Sequence, residues 1–128
     1  MGILYQGKYL TLLDKDGWEF VHRPASHGVV SVVAEFNGAL LLVEQYRCAH
    51  GAPVIALPGG LVDEDPANPD YIQNAARREL LEETGFAADK MIPIANGPVS
   101  PGMTTEKVTV LLASGLQQVM QPAGDGDE

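Results

Sequence analysis

Residues 57–86 read LPGGLVDEDPANPDYIQNAARRELLEETGF, and the fold turns on how this stretch is read. Two adjacent glycines, Gly59 and Gly60, lead into an acidic loop broken by prolines, and then into a segment with helical periodicity. Ile72, Ala75, Ala76 and Leu80 form an apolar stripe at helix spacing. Asp70 with Gln73 three positions later predicts a capping box, and Gly85 after Thr84 predicts the helix stop. The predicted helix crowds Glu79, Glu82 and Glu83 into a turn and a half. Like charges at i,i+3 and i,i+4 cost roughly 0.2–0.5 kcal/mol per pair. Anions near a helix C-terminus add roughly 0.3–1 kcal/mol against the helix dipole. Arg77 and Arg78 offset part of this, with Arg78 placed to reach Glu82. One reading is a solvated acidic face. The other is a cation site, because convergent carboxylates suit Mg²⁺ or Mn²⁺ and a Gly-Gly turn lets backbone carbonyls approach the same point.

Outward from this stretch the pattern is β-structure. GKYLTLL and WEFVHR flank the turn-forming DKDG, which predicts an N-terminal hairpin within residues 1–27. GVVSVVAEF and ALLLVEQYR flank Asn37-Gly38, and their near-continuous apolar character predicts paired central strands covered on both faces. PVIALP predicts a short strand entering the glycines, and MIPIA and KVTVLLAS predict two more strands after the helix. Residues 117–128 show no periodicity and are expected to be a mobile tail. Hairpins, one helix, then further strands predict an α+β sandwich with mixed sheets, as one domain over 1–128.

Composition narrows the function. A net charge of −9 argues against sequence-independent nucleic-acid binding, which needs basic surface. It also repels a phosphorylated substrate at long range, so an anionic ligand must be met by local cations or by metal. Cys48 is the only cysteine, which excludes an intramolecular disulfide and predicts a reducing, cytoplasmic setting. No apolar run approaches the ~20 residues of a membrane span, and MGILYQGKYL lacks the layout of a signal peptide. His22, His27 and His50 have no metal-ligand spacing and are read as structural or surface residues.

GG…AARRELLEETGF resembles the Nudix box of the Nudix hydrolases, G-x5-E-x7-R-E-U-x-E-E-x-G-U with U an apolar residue. Arg78-Glu79-Leu80, Glu82-Glu83 and Gly85-Phe86 match its second half. The resemblance implies an α/β/α sandwich with a mixed sheet and hydrolysis of a nucleoside diphosphate linked to another moiety, with Mg²⁺ or Mn²⁺. It makes Glu79 and Glu83 the principal metal ligands, Glu82 an auxiliary one and the Gly59 carbonyl a further ligand, with Arg78 orienting them. The first half departs from the pattern, since four extra residues lie in DEDPANPD. Counting back from Arg78 reaches Asp70, and counting forward from Gly60 reaches Pro66, just after Glu64 and Asp65. Asp70 is read as the helix cap.

Flanking segments resemble the ADP-ribose pyrophosphatase branch of that family. VVSVVAEFNGALLLVEQYR, ALPGGLVDE and SPGMTTEKVTVLLA carry the likeness. It implies that Arg47 contacts the diphosphate and that Glu106 is the general base or a further metal-shell carboxylate. Pro101 and Gly102 would shape the substrate loop, and Trp18 could stack on adenine or fill a core or dimer interface. The most favoured substrate is ADP-ribose, cleaved to AMP and ribose 5-phosphate. The partner is a second copy, in a homodimer built through the N-terminal hairpin. Nucleoside triphosphate pyrophosphohydrolysis and a catalytically inactive nucleotide-binding module are the alternatives. Relatives carry an acidic residue where this chain has Ala56, and they continue beyond its last residues, so the chain is expected to be short at its C-terminus.

Overall fold

The computed structural model describes residues 1–122. The chain runs β1 (Gly2–Gln6), β2 (Thr11–Lys15), β3 (Trp18–His22), β4 (Val29–Phe36), β5 (Ala39–Leu40), β6 (Val43–Arg47), β7 (Ala52–Ala56) and β8 (Gly59–Leu61). Helix α1 (Tyr71–Thr84), β9 (Phe86–Pro98) and β10 (Lys107–Gln118) complete it.

Strand β4 organises the main sheet. On one edge it pairs in parallel with β10, from Val29↔Val108 to Ala34↔Ala113. Its other edge is shared, with β8 opposite Val29–Ser31 and β5 opposite Glu35–Phe36, both antiparallel. Beyond β10 lies β9, antiparallel over its full length. The sheet is therefore mixed. Alternation sends Val30, Val32, Ala34, Leu111 and Ala113 to one face, where all are nearly solvent-free. Helix α1 covers that face with Ala75, Ala76 and Leu80, joined by Val62, Phe86 and Met91 in one cluster. Phe36 and Phe86 meet edge to face at 4.7 Å. On the opposite face Ile92, Ile94 and Leu112 remain exposed.

The apolar stripe and the glycine stop fall where the sequence puts them. Gly85 ends α1 at φ 77°, a left-handed conformation that glycine adopts without Cβ strain, and its amide bonds to the Leu81 carbonyl. The capping box does not form. Asp70 occupies the cap position with no side-chain cap bond. Its own amide donates to Asn68 Oδ1 at 2.9 Å, and the Tyr71 amide donates to the Asn68 carbonyl. A turn centred on Asn68 thus satisfies the helix entry, a local competition that Asn side chains commonly win.

Three strand expectations are corrected. The N-terminal unit is a three-stranded sheet, because β1 adds to the hairpin of β2 and β3. ALLLVEQYR does not run beside β4: only Ala39 and Leu40 pair with it, and the Leu41 amide still reaches Ala34 before the chain turns away. Strand β6 then pairs with β7 as a separate ribbon, and Ile55 and Tyr46 stay exposed. Gly59-Gly60 is the reason, since β8 occupies the rest of that β4 edge. Strand order continues past 117: β10 reaches Gln118 opposite Phe86, and the Val119 and Met120 amides bond to the Gly85 carbonyl. Residues 123–128 of the expected tail lie outside the described residues. Of the layers expected, the described residues supply one helix on one face of the sheet.

Candidate active site

The acidic helix and the glycine strand meet face to face. The Gly59 amide donates to Glu83 Oε1 at 2.8 Å, and Glu83 is buried. A Cβ on Gly59 would lie 2.1 Å from the Val30 carbonyl oxygen, so only glycine lets β8 approach β4 this closely. A Cβ on Gly60 would lie 2.6 Å from Glu79 Oε1, so the second glycine opens the cradle in which Glu79 rests. The Glu79 and Glu83 carboxyls thus face the two adjacent glycines of β8. Burial holds the Glu79 carboxyl above the ordinary glutamate value of 4.5, against the opposing pull of Arg78.

Arg78 is the hub of this corner. It grips Glu64 with two nitrogens, Nε to Oε2 at 2.9 Å and Nη2 to Oε1 at 3.2 Å. Nη1 reaches Glu79 Oε1 at 2.9 Å and Glu82 Oε2 at 3.5 Å, and Nη2 donates to the Leu61 carbonyl at 3.2 Å. The Arg78 hydrogen bonds hold the Glu64 carboxyl below its ordinary value. In turn they raise Arg78 far above the ordinary guanidinium range. Glu64 is the site residue that position counting missed. The backward count from Arg78 stops short of it at Asp70, and the forward count from Gly60 passes it at Pro66. Its signal was chemical, a carboxylate on the near side of the prolines able to fork onto Arg78.

The remaining expected residues fall in two other places. Trp18, Pro101 and Gly102 line one cleft of about 440 Å³, with Phe20 and Pro98 adding apolar wall. Its floor is the 100–105 turn, which is tied to β3: the Val21 amide donates to the Met103 carbonyl and the Thr105 amide to the Val21 carbonyl. Glu106, at the end of that turn, pairs with Arg23 at 3.5 Å and not with the helix glutamates. Arg47 stands apart from both groups. It pairs with Ala52 beside the turn of the β6–β7 ribbon, four residue steps (about 13 Å) from the end that leads to Pro58.

The donor set fits a hard divalent cation by chemistry. Glu83 is buried and Glu79 half-buried, both on one helix face against the Gly59-Gly60 strand, and paired carboxylates of this kind suit a cation. As placed, Glu79 is turned onto Arg78 and Glu83 onto the Gly59 amide. Among the described residues no three His, Cys, Asp or Glu converge in ligating geometry. Cation binding would therefore draw Glu79 and Glu82 from Arg78 and leave Glu64 to hold the guanidinium.

Comparison with known proteins shows the family. The NUDIX domain model matches residues 23–128. The chain is 36% identical over 102 residues to an ADP-ribose pyrophosphatase of Mycobacterium tuberculosis, covering 79% of this chain and 48% of that protein. It is 34% identical over 110 residues to an ADP-ribose pyrophosphatase of Bacillus subtilis, covering 86% of this chain and 56% of that protein. The chain thus spans about half the length of the curated relatives it matches. A crystal structure described as ADP compounds hydrolase superposes with a TM-score of 0.73 at 22% identity, over 97% of this chain and 69% of that one, and shares its fold. No helix among the described residues is long and apolar enough to cross a membrane. The box residues around Arg78, the mixed sheet they pack on and the family match lead to one conclusion: the chain belongs to the NUDIX domain family.

Proposed function

We propose that this chain hydrolyses the diphosphate bond of a nucleoside diphosphate joined to another moiety, with ADP-ribose giving AMP and ribose 5-phosphate. The observation that carries the reading is the placing of Glu79 and Glu83 against the Gly59-Gly60 strand, Glu83 on the Gly59 amide and Glu79 in the space that Gly60 leaves open. Two carboxylates gathered at one partly buried corner repel each other unless positive charge joins them, which suits a cation. Glu79, Glu82, Glu83 and the Gly59 carbonyl would hold Mg²⁺ or Mn²⁺. When bound, the ion supplies positive charge to the diphosphate oxygens and makes water more acidic.

The other roles belong to the chain itself. Arg78, fixed by Glu64, positions the helix carboxylates. Trp18 with Pro101 and Gly102 offers an apolar cleft for a base, with the indole as stacking surface. Glu106 would take the proton from the attacking water on a carboxylate oxygen, once it leaves Arg23. The diphosphate role of Arg47 rests on its sequence motif and on closure of the β6–β7 ribbon over the site. Exposed Ile3, Tyr5 and Trp18 on the N-terminal sheet favour a homodimer through that sheet, and the lone cysteine favours a cytoplasmic setting.

The test is a panel of nucleotides incubated with the protein and Mg²⁺, with products identified by mass spectrometry. AMP and ribose 5-phosphate from ADP-ribose support the reading. Diphosphate release from nucleoside triphosphates alone would transfer it to the triphosphate class, and no turnover of any substrate would leave a binding module.

A further inference from the structure

Successive residues of a helix turn by about 100°, so neighbouring side chains leave it on different flanks. In α1, Ala75, Ala76, Leu80 and Glu83 mark the buried direction, and Arg77 and Arg78 fall on either side of it. Each arginine ends on the backbone of a different outer strand. Arg78 Nη2 donates to the Leu61 carbonyl of β8 at 3.2 Å. Arg77 Nη1 donates to the Ala88 carbonyl of β9, and its Nη2 donates to the Asp89 carbonyl at 3.1 Å. Strands β8 and β9 lie on opposite sides of the central pair of β4 and β10. The helix is therefore held across the sheet from both flanks. The sequence places Arg77 among the charges that offset the glutamates; its guanidinium sits instead on neutral carbonyls. Those acceptors are firm, because Ala88 pairs with Leu116 in the ladder of β9 and β10.

We propose that Arg77 is a positioning residue: it fixes the roll of α1 on the sheet and so seats Glu79 and Glu83 against Gly59 and Gly60. Arg78 does not set the roll by itself. Its partners Glu79 and Glu82 ride on the same helix and offer no resistance to rotation, while Leu61 and Glu64 hold one flank. Arg77 supplies the opposing hold, with a planar fork of donors that fixes direction as well as distance. The tolerance is small. A carboxylate about 5–6 Å from the helix axis moves about 1 Å for a roll of about 10°. A shift of that size takes the Glu83 Oε1 contact with the Gly59 amide, now 2.8 Å, out of hydrogen-bond range. The functional consequence rests on the divalent-cation reading of this corner; the structural one does not.

The experiment compares the full chain with Arg77→Gln and Arg77→Lys. Hydrogen exchange of the Gly59 amide, followed by NMR in excess EDTA, reads the seating of Glu83 without metal or substrate. The amides of Leu111 and Ala113 in the buried central strand report general loss of stability. In Arg77→Gln, exchange at Gly59 should quicken about tenfold relative to those two amides. A merely structural loss would quicken all three together. Arg77→Lys, whose ammonium still reaches a carbonyl without the fork, should fall between parent and Arg77→Gln. Mn²⁺ affinity, read by electron paramagnetic resonance, should drop about tenfold in Arg77→Gln and recover in part in Arg77→Lys. Where the glutamine variant does not fold, Arg77→Lys is judged by the same ratio of exchange rates. A ratio unchanged from the parent overturns the proposal. A parent chain that binds no Mn²⁺ would overturn the cation reading, while the exchange ratio would still decide the role of Arg77.

Discussion

The two acidic regions proposed for catalysis are built differently. Glu79 and Glu83 sit on a packed helix, held by a backbone amide and by Arg78 against a glycine strand. Glu106 sits at the end of a turn, with its carboxylate on Arg23. The first pair is organised before any ligand arrives. The second group would have to exchange its Arg23 partner to act as the proposed base. A role that is static, holding a cation, belongs on rigid elements; a role that is transient, accepting a proton, tolerates a turn.

Glu83→Gln should break the rigid half most severely. Losing a charged ligand there is expected to lower kcat/KM for ADP-ribose about 100-fold, close to 2.7 kcal/mol at 1.36 kcal/mol per decade. Steady-state kinetics with Mg²⁺ check this, and an unaffected variant would remove Glu83 from the site. Gly59→Ala attacks the same half through the backbone. The collision with the Val30 carbonyl oxygen should cost about 1–3 kcal/mol, seen as a lower urea midpoint with the slope unchanged.

The half carried by the turn is probed more gently. Glu106→Gln should reduce kcat about tenfold or more with KM nearly unchanged, as for an interaction made mainly in the transition state. Parent-rate hydrolysis by that variant would move the base elsewhere, with Glu82 next to be tested. Arg47→Ala should instead raise KM with a smaller change in kcat, because diphosphate binding serves both states.

Acid titration of stability sharpens the contrast within the rigid corner. Glu64 has a lowered pKa, so its contribution is full above 4.5 and is lost as pH falls through the lowered value. Glu79 has a raised pKa, so its ionisation weighs against the fold as pH climbs from 4.5 through the raised value. In EDTA, Glu64→Gln should therefore lower Tm near neutral pH and converge on the parent well below 4.5. Glu79→Gln should show the opposite sign near neutral pH. Parallel Tm curves for either variant would contradict the assigned pairings.

Much of this architecture was legible before the structure. The helix was readable because Ile72, Ala75, Ala76 and Leu80 repeat at its period and Gly85 ends it. Both tight turns were readable because Asp16-Gly17 and Asn37-Gly38 adopt the positive φ their types require. The β6–β7 ribbon was not, since an apolar run such as LLLVEQY records burial tendency and not which strand it will pair with. Glu64 was not, because an insertion shifts spacing without changing contact. The cavity lined by His22, Arg23, His27 and Lys107 was least legible. Its wall draws on β3, the loop after it, α1, β9 and β10, brought together by the bridge of Val21 to Thr104 and by the pairing of Val29 with Val108.

The central claim is that the Glu79–Glu83 corner is a divalent-cation site. A Mn²⁺ titration followed by electron paramagnetic resonance tests it without substrate. The account predicts saturable loss of the free Mn²⁺ signal with the parent chain, about tenfold or more weaker binding in Glu79→Gln and Glu83→Gln, and competition by Mg²⁺. Mn²⁺ binding of equal strength in parent and both variants would contradict it.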